Sequence, residues 1–378
     1  MRFSYKPAVS VTVALAAAFG ISKHAEALEF VTDTSSSIEY QQLISAGDPN
    51  GTPGDSPAQR VDPNTTSSPY GGVGSLFFNG KDKGNFLCTG TAISTRHILT
   101  AAHCLDLDNN GSVGFLPEDV TFNLNFGSDL SHRITASNLT IHPSYIGSGN
   151  SILGDDLAII TLGANLPSEV PIYNLHRQPL NLGETLTMVG YGSTGSGVSG
   201  YQSGGSTRVK RVGKNNADVF APDRRFPFFG SSPENRAFIF DYDGPDASTN
   251  RYGGLTLGND IEATLGAGDS GGPSFVWLED SLVLAGVNTF TLHFRNQTPG
   301  TFGTVGGGMI VSSYLDWIDS VLSVTEISTS PIFAEGSEVG EGVVPSRQLV
   351  PASISVPEPS ILLGFITLSL GLVLKRRQ

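Results

Sequence analysis

The sequence predicts an all-β protein, a barrel or a sandwich, from three features. Glycine is abundant at 46 of 378 residues, and charged residues make up only 15%. Between about residues 70 and 312, short β-type runs follow one another with glycine-rich turns in between. This composition excludes a coiled coil and a charged disordered chain. With 22 Lys and Arg against 35 Asp and Glu, the formal charge is −13, so little positive field faces a phosphate backbone and no nucleic-acid partner is expected.

Taken in order, residues 1–27 read as a signal peptide. Arg2 and Lys6 precede an apolar run from Ala8 to Ile21, and Ala25-Glu26-Ala27 supplies a small-residue cleavage site. Residues 28–60 are polar and rich in breakers such as Gly47-Asp48-Pro49-Asn50-Gly51, and read as a propeptide or linker. The run Val120-Thr121-Phe122-Asn123-Leu124-Asn125-Phe126 alternates strictly, the period of a half-buried strand. Leu157–Leu162, Leu186–Val189, Ala237–Phe240, Phe275–Trp277 and Leu282–Val287 are further strands. Tyr314, Trp317, Ile318, Val321 and Leu322 share one face at helical spacing, with Ser313 as the expected N-cap. Residues 325–356, rich in Ser, Pro, Gly and Glu, read as a linker.

The chain ends with Val356-Pro357-Glu358-Pro359-Ser360, an apolar run from Ile361 to Leu374, and Lys375-Arg376-Arg377. Those parts, in that order over residues 357–378, resemble the PEP-CTERM sorting signal of Gram-negative bacteria. The resemblance implies an exosortase partner that processes the tail, and a location at the cell surface or in the extracellular matrix. Before processing, the apolar tail helix would act as a membrane anchor, although the run is short for a full span. An ordinary tail anchor is the alternative. Removing both ends takes away Arg2, Lys6, Lys23, Lys375, Arg376 and Arg377 against Glu26 and Glu358, so the remainder is more acidic still.

Three blocks can do chemistry. In Gly268-Asp269-Ser270-Gly271-Gly272-Pro273, glycines flank a serine and allow a tight turn whose N–H groups converge, which suits an oxyanion hole beside a nucleophile. Upstream are Leu99-Thr100-Ala101-Ala102-His103-Cys104 and Asp155-Asp156-Leu157-Ala158. A histidine takes a serine proton efficiently when a buried carboxylate fixes its tautomer. The block also fits G-x-S-x-G, but the hydrolase elbow of that pattern places its acid and histidine after the serine, and here they precede it.

Over residues 61–324, these blocks resemble the chymotrypsin-fold, trypsin-like serine proteases. His142-Pro143-Ser144-Tyr145, Gly190-Tyr191-Gly192-Ser193-Thr194 and the Tyr-x-x-Trp-Ile helix add to the likeness. The resemblance implies two six-stranded antiparallel β-barrels, a C-terminal helix, and catalysis in the cleft between the barrels. It makes His103 the general base and acid, Asp156 its orienting carboxylate and Ser270 the nucleophile. The N–H groups of Gly268 and Ser270 become the oxyanion hole. Asp155 is then a solvated neighbour, and Cys88 and Cys104 form the disulfide of the histidine loop.

By the same resemblance, Thr264, Thr289, Phe290 and Thr291 line the substrate pocket. None is charged, so small or medium uncharged P1 residues are expected. Two routes to activity stay open. Cleavage at Arg60 would free a Val61 amine to pair with Asp269, or the chain works uncut or is activated elsewhere. Asp106, Asp108, Asn110 and Ser112 resemble the start of a calcium loop, with a hydrated surface turn as the equal alternative. No cofactor is required for catalysis. The expected activity is that of a secreted endopeptidase acting on polypeptide substrates of the envelope or its surroundings. The rival is an inactive protease-like surface module that binds exopolysaccharide or protein. Oligomeric state is not readable from the sequence.

Overall fold

The computed structural model describes residues 44–47, 57–127, 129–147, 154–222, 235–258 and 261–329. The expected signal peptide, most of the 28–60 segment, the 330–356 linker and the sorting tail with its apolar helix lie outside the described residues. No helix among the described residues is long and apolar enough to cross a membrane.

Among the described residues, eighteen strands and one α-helix make up the fold. A short strand, β1 (Ile44–Ala46), precedes β2 (Val73–Asn79), β3 (Asn85–Ala92), β4 (His97–Thr100), β5 (Val120–Phe126), β6 (Asp129–Ile141) and β7 (Ala158–Leu162). Strands β2 to β7 close into a barrel in the order β2-β3-β4-β7-β6-β5. Its core holds Leu76, Phe78, Phe86, Phe115, Phe122 and Ile160. Closure leaves no edge strand to cover.

The second half contains β8 (Asn174–Leu175), β9 (Thr185–Gly190), β10 (Thr194–Ser196), β11 (Gly200–Ser203), β12 (Arg211–Asn216), β13 (Val219–Pro222), β14 (Asn235–Asp241), β15 (Ala263–Thr264), β16 (Pro273–Leu278), β17 (Ser281–Leu292) and β18 (Val305–Ile310). Its main sheet runs β12-β9-β16-β17-β18-β14-β13, with β8 beside β17. In place of the expected second six-stranded barrel, the described residues form an eight-stranded sheet without a closing ladder. A separate four-stranded sheet, β11-β10-β1-β15, stands beside it. The arrangement is nonetheless the chymotrypsin-like one, a closed six-stranded barrel, a second β half and a C-terminal helix.

Two expectations about individual strands change. Strand β5 is buried on both faces, because Asn123 bonds Ser75 while Asn125 bonds the Tyr191 hydroxyl and the Thr207 carbonyl. Alternation of asparagine with apolar residues looked half-exposed, but paired amides can be buried at little net cost. The segment read as propeptide or linker contributes β1, parallel to β10 and antiparallel to β15. Residues 44–46 are thus part of the sheet that carries Thr264.

The C-terminal helix α1 (Leu315–Thr329) follows a 3-10 turn at Val311–Tyr314 and extends five residues beyond the expected boundary at 324. Tyr314 and Ile318 are buried, as its periodicity implies. Ser313 is not its cap, since its hydroxyl donates to the Asn235 carbonyl, 2.8 Å away. The helix packs on an apolar cluster that joins both halves, with Val73, Leu99 and Ile159 from the first barrel against Tyr191, Phe275 and Leu284 from the second. Such a contiguous apolar seam fixes how loops from the two halves meet.

Candidate active site

Strand register brings His103 to Asp156. Strands β4 and β7 are antiparallel neighbours with Thr100 opposite Ala158, so the residues just after β4 meet those just before β7. His103 sits in the 3-10 turn Ala102–Cys104. Its backbone N–H donates to Asp156 Oδ1 at 2.8 Å, and its ring Nδ1 lies 2.6 Å from Asp156 Oδ2. An ionised carboxylate can only accept, so Nδ1 carries the proton and Nε2 presents its lone pair. His103 Nε2 is buried and has no hydrogen-bond partner among the described residues. The Cys88–Cys104 disulfide ties this turn to β3.

Ser270 lies in the loop between β15 and β16, which is pinned to both halves. The Thr89 N–H of β3 donates to the Ser270 carbonyl at 2.8 Å, and the Thr89 hydroxyl donates to the Gly268 carbonyl at 2.8 Å. On the other side, the Gly271 N–H donates to the Asn288 carbonyl of β17 at 2.7 Å. The sulfur of Cys104, next to His103, lies 3.8 Å from the Ser270 carbonyl oxygen, so the serine loop and the histidine turn are in contact. Gly268 and Gly271 adopt φ of 99° and 79°, a region that disfavours a side chain. Among the described residues, the Gly268 and Ser270 N–H groups have no protein acceptor, which leaves both donors for a ligand.

Asp269 is fully buried and accepts N–H bonds from Gly192 at 2.7 Å and Gly266 at 2.8 Å. Burial pushes its carboxyl up to about 7, and those two bonds and the Arg211 charge oppose the rise. Arg211 is fully buried as well, and burial brings it down to about 9 while Asp269 favours its charged form. The pair is placed by the sheet. Arg211 stands opposite Gly190 on β9, and a side chain at position 190 would collide with the Asp269 carboxylate. Sequence reading passed over Arg211, since Arg208-Val209-Lys210-Arg211 resembles a solvated basic run.

In the uncut chain the Val61 backbone bridges Arg211, and the Asp62 N–H donates to the Lys210 carbonyl at 2.8 Å. Two strand spacings of about 4.8 Å thus separate Val61 from Gly190, roughly 10 Å in all. Asp62 anchors the segment. It accepts from the Ser68 hydroxyl at 2.6 Å and the Asn64 N–H at 2.8 Å, and lies 3.6 Å from the buried Lys210 ammonium.

Asp155 is corrected from solvated neighbour to buried residue. It is fully buried and forms an ion pair with Arg236 at 2.8 Å, and His142 approaches it at 4.0 Å. Its φ of 50° turns it away from the carboxylate that serves His103. At the pocket positions, Thr264 and Thr289 are buried with hydroxyls unpartnered among the described residues. Phe290 is buried and Thr291 is partly exposed.

In the expected calcium loop, Asp106 is buried and accepts the Asn110 N–H at 2.9 Å and the Gly111 N–H at 2.7 Å. The Ser112 N–H bonds Asn110 Oδ1, and Asp108 pairs with Lys83. A cation there would compete with these donors. Among the described residues, one set of metal-type ligands lies within mutual reach, Cys88, His103 and Cys104, and the two sulfurs are joined in the disulfide.

Fold and site together define a chymotrypsin-like β protein with a serine loop beside a carboxylate-bound histidine. Residues 62–218 match the family model described as Trypsin, a stretch that includes His103 and Asp156 and ends before Ser270. The chain is 26% identical over 245 residues to a venom serine protease of Polistes dominula, covering 61% of this chain and 74% of that protein. It is also 27% identical over 237 residues to an uncharacterized peptidase of Corynebacterium glutamicum (strain R), covering 62% of this chain and 64% of that one.

Proposed function

We propose that this protein is a serine endopeptidase that cleaves polypeptides through an acyl-enzyme. The observation that carries the reading is the His103–Asp156 pair, with Nε2 unoccupied beside a serine loop that leaves two N–H donors free. Ser270 Oγ attacks the scissile carbonyl carbon as His103 Nε2 takes its proton. The carbonyl oxygen gains negative charge and is held by the Gly268 and Ser270 N–H groups. The imidazolium, stabilised by Asp156, then gives its proton to the departing amine as the C–N bond breaks. Water, deprotonated by the same nitrogen, attacks the ester and returns the free Ser270 hydroxyl.

The reading extends to substrate and setting. Uncharged lining at Thr264, Thr289, Phe290 and Thr291 favours small or medium uncharged P1 residues. Activity without a cut at Arg60 is favoured by the Arg211 charge beside Asp269 and by the stitching of Asp62. Export, exosortase processing of residues 357–378 and action on envelope or extracellular polypeptides rest on the two chain ends. A calcium ion at Asp106, Asp108, Asn110 and Ser112 would be structural, with no step in the reaction. The test is Ser270→Ala in the full chain. The variant should retain the melting temperature and lose hydrolysis of an alanyl p-nitroanilide peptide, and hydrolysis at the wild-type rate would refute the reading.

A further inference from the structure

The β10–β11 hairpin carries a tyrosine that the catalytic reading does not use. Tyr201 is the second residue of β11, after Gly200, whose φ is 74°, and its N–H donates to the Pro299 carbonyl at 3.1 Å. Its ring covers Gly300, where an added Cβ would come within 2.5 Å of the ring carbons. The hydroxyl donates to the Leu265 carbonyl. It also lies within hydrogen-bonding reach of Thr291.

Both contacts fall at or beside positions that the proposed function assigns to the substrate pocket. Leu265 follows Thr264 in the run that leads into Ser270. Thr291 is on β17, the strand whose Asn288 carbonyl accepts from Gly271 and whose Asn288 N–H donates to the Gly272 carbonyl at 2.8 Å. Both segments adjoin the serine loop, and on the peptidase reading a P1 side chain enters between them. Tyr201 touches both, at the Leu265 carbonyl and at Thr291. Burial pushes its phenol well above the usual tyrosine range, so the hydroxyl remains a donor throughout the working pH range.

We propose that Tyr201 is a specificity-determining residue, its ring closing the far end of the P1 pocket between Leu265 and Thr291 and restricting P1 to side chains of about alanine to valine size. This rests on the serine endopeptidase reading and names the substrate class of that site. A slot closed by a ring rejects a larger side chain sterically, since filling an occupied volume forces neighbours off their rotamers.

The experiment uses the full chain and peptide p-nitroanilides with Ala, Val, Leu and Phe at P1. Wild type should prefer Ala and Val. Tyr201→Ala should raise the Phe-to-Ala ratio of kcat/KM by about tenfold or more, the discrimination that a few methylenes of pocket space provide. Tyr201→Phe keeps the ring and should keep the wild-type order of substrates. Fluorophosphonate labelling at Ser270 is measured alongside. A wild-type preference for Phe, or an unchanged ratio in a Tyr201→Ala protein that still labels, would overturn the role of Tyr201 alone. A folded wild type that neither labels nor hydrolyses any of the four would refute the peptidase reading and Tyr201's role with it. If Tyr201→Ala does not fold, Tyr201→Leu is measured in its place, and an unchanged Phe-to-Ala ratio in that labelling protein would equally overturn the proposal.

Discussion

Replacing Asp156 by asparagine tests the histidine geometry most sharply. Asp156 receives two donors, the His103 backbone N–H at Oδ1 and the ring Nδ1–H at Oδ2. Asparagine offers one oxygen and one NH2 group. The backbone N–H cannot change role, so it claims the oxygen and leaves the NH2 facing Nδ1. The ring must then accept at Nδ1, which moves its proton to Nε2, where no lone pair remains for the serine proton. A wrong tautomer of this kind costs about 10⁴ in rate, or roughly 5 kcal/mol of transition-state stabilisation. The assay is kcat/KM on the alanyl peptide at pH 7.5, with circular dichroism and melting temperature to confirm that the fold is retained. An Asp156→Asn protein that keeps a tenth of wild-type activity would refute the reasoning.

Other expectations follow from the same structure. Reducing the Cys88–Cys104 bridge, or replacing both by alanine, should lower stability by about 3 kcal/mol for a loop of 16 residues, read by urea denaturation. A change under 1 kcal/mol would contradict that. A chain shortened to begin at Val61 loses β1, and with it the partner of β15 and β10. It should label with fluorophosphonate about tenfold more slowly or worse, whereas a zymogen would label faster. Asp269 and Glu262 are both raised to about 7, chiefly by burial, and Asp218 and Asp243 are also raised. The folded state therefore holds these protons longer than the unfolded one, and stability should fall as pH rises from about 4 to about 7. For Asp269 the loss is on the order of 4 kcal/mol. Lys210, lowered to about 8 by burial, acts above that window. A melting temperature higher at pH 7.5 than at pH 5 would contradict the sign.

The candidate catalytic blocks were legible because each is contiguous in sequence, and the family resemblance supplied their expected roles. Glycines around Ser270 announce the turn, and the resemblance supplied the Cys88–Cys104 tether that the structure forms. Strand positions were legible as well, because apolar runs broken by glycine have few other uses. Pairing between distant segments was not. Nothing within residues 44–46 says that they lie between β10 and β15, and nothing in Arg211 says that the sheet turns it inward beside Asp269. The buried asparagines of β5 misled for the same reason, since their partners Ser75, Tyr191 and Thr207 are far away in sequence. Asp155 and Asp156 show the limit of adjacency, because a left-handed backbone at Asp155 sends two neighbouring carboxylates to different partners.

The central claim is that Ser270 is a nucleophile made reactive by His103. Its most direct test is fluorophosphonate labelling of the full chain, followed by peptide mapping, with Ser270→Ala and His103→Ala as controls. The account predicts a single adduct on Ser270, absent from the first variant and strongly slowed in the second. A folded wild-type protein that takes up no label, or that labels at another residue, would contradict it.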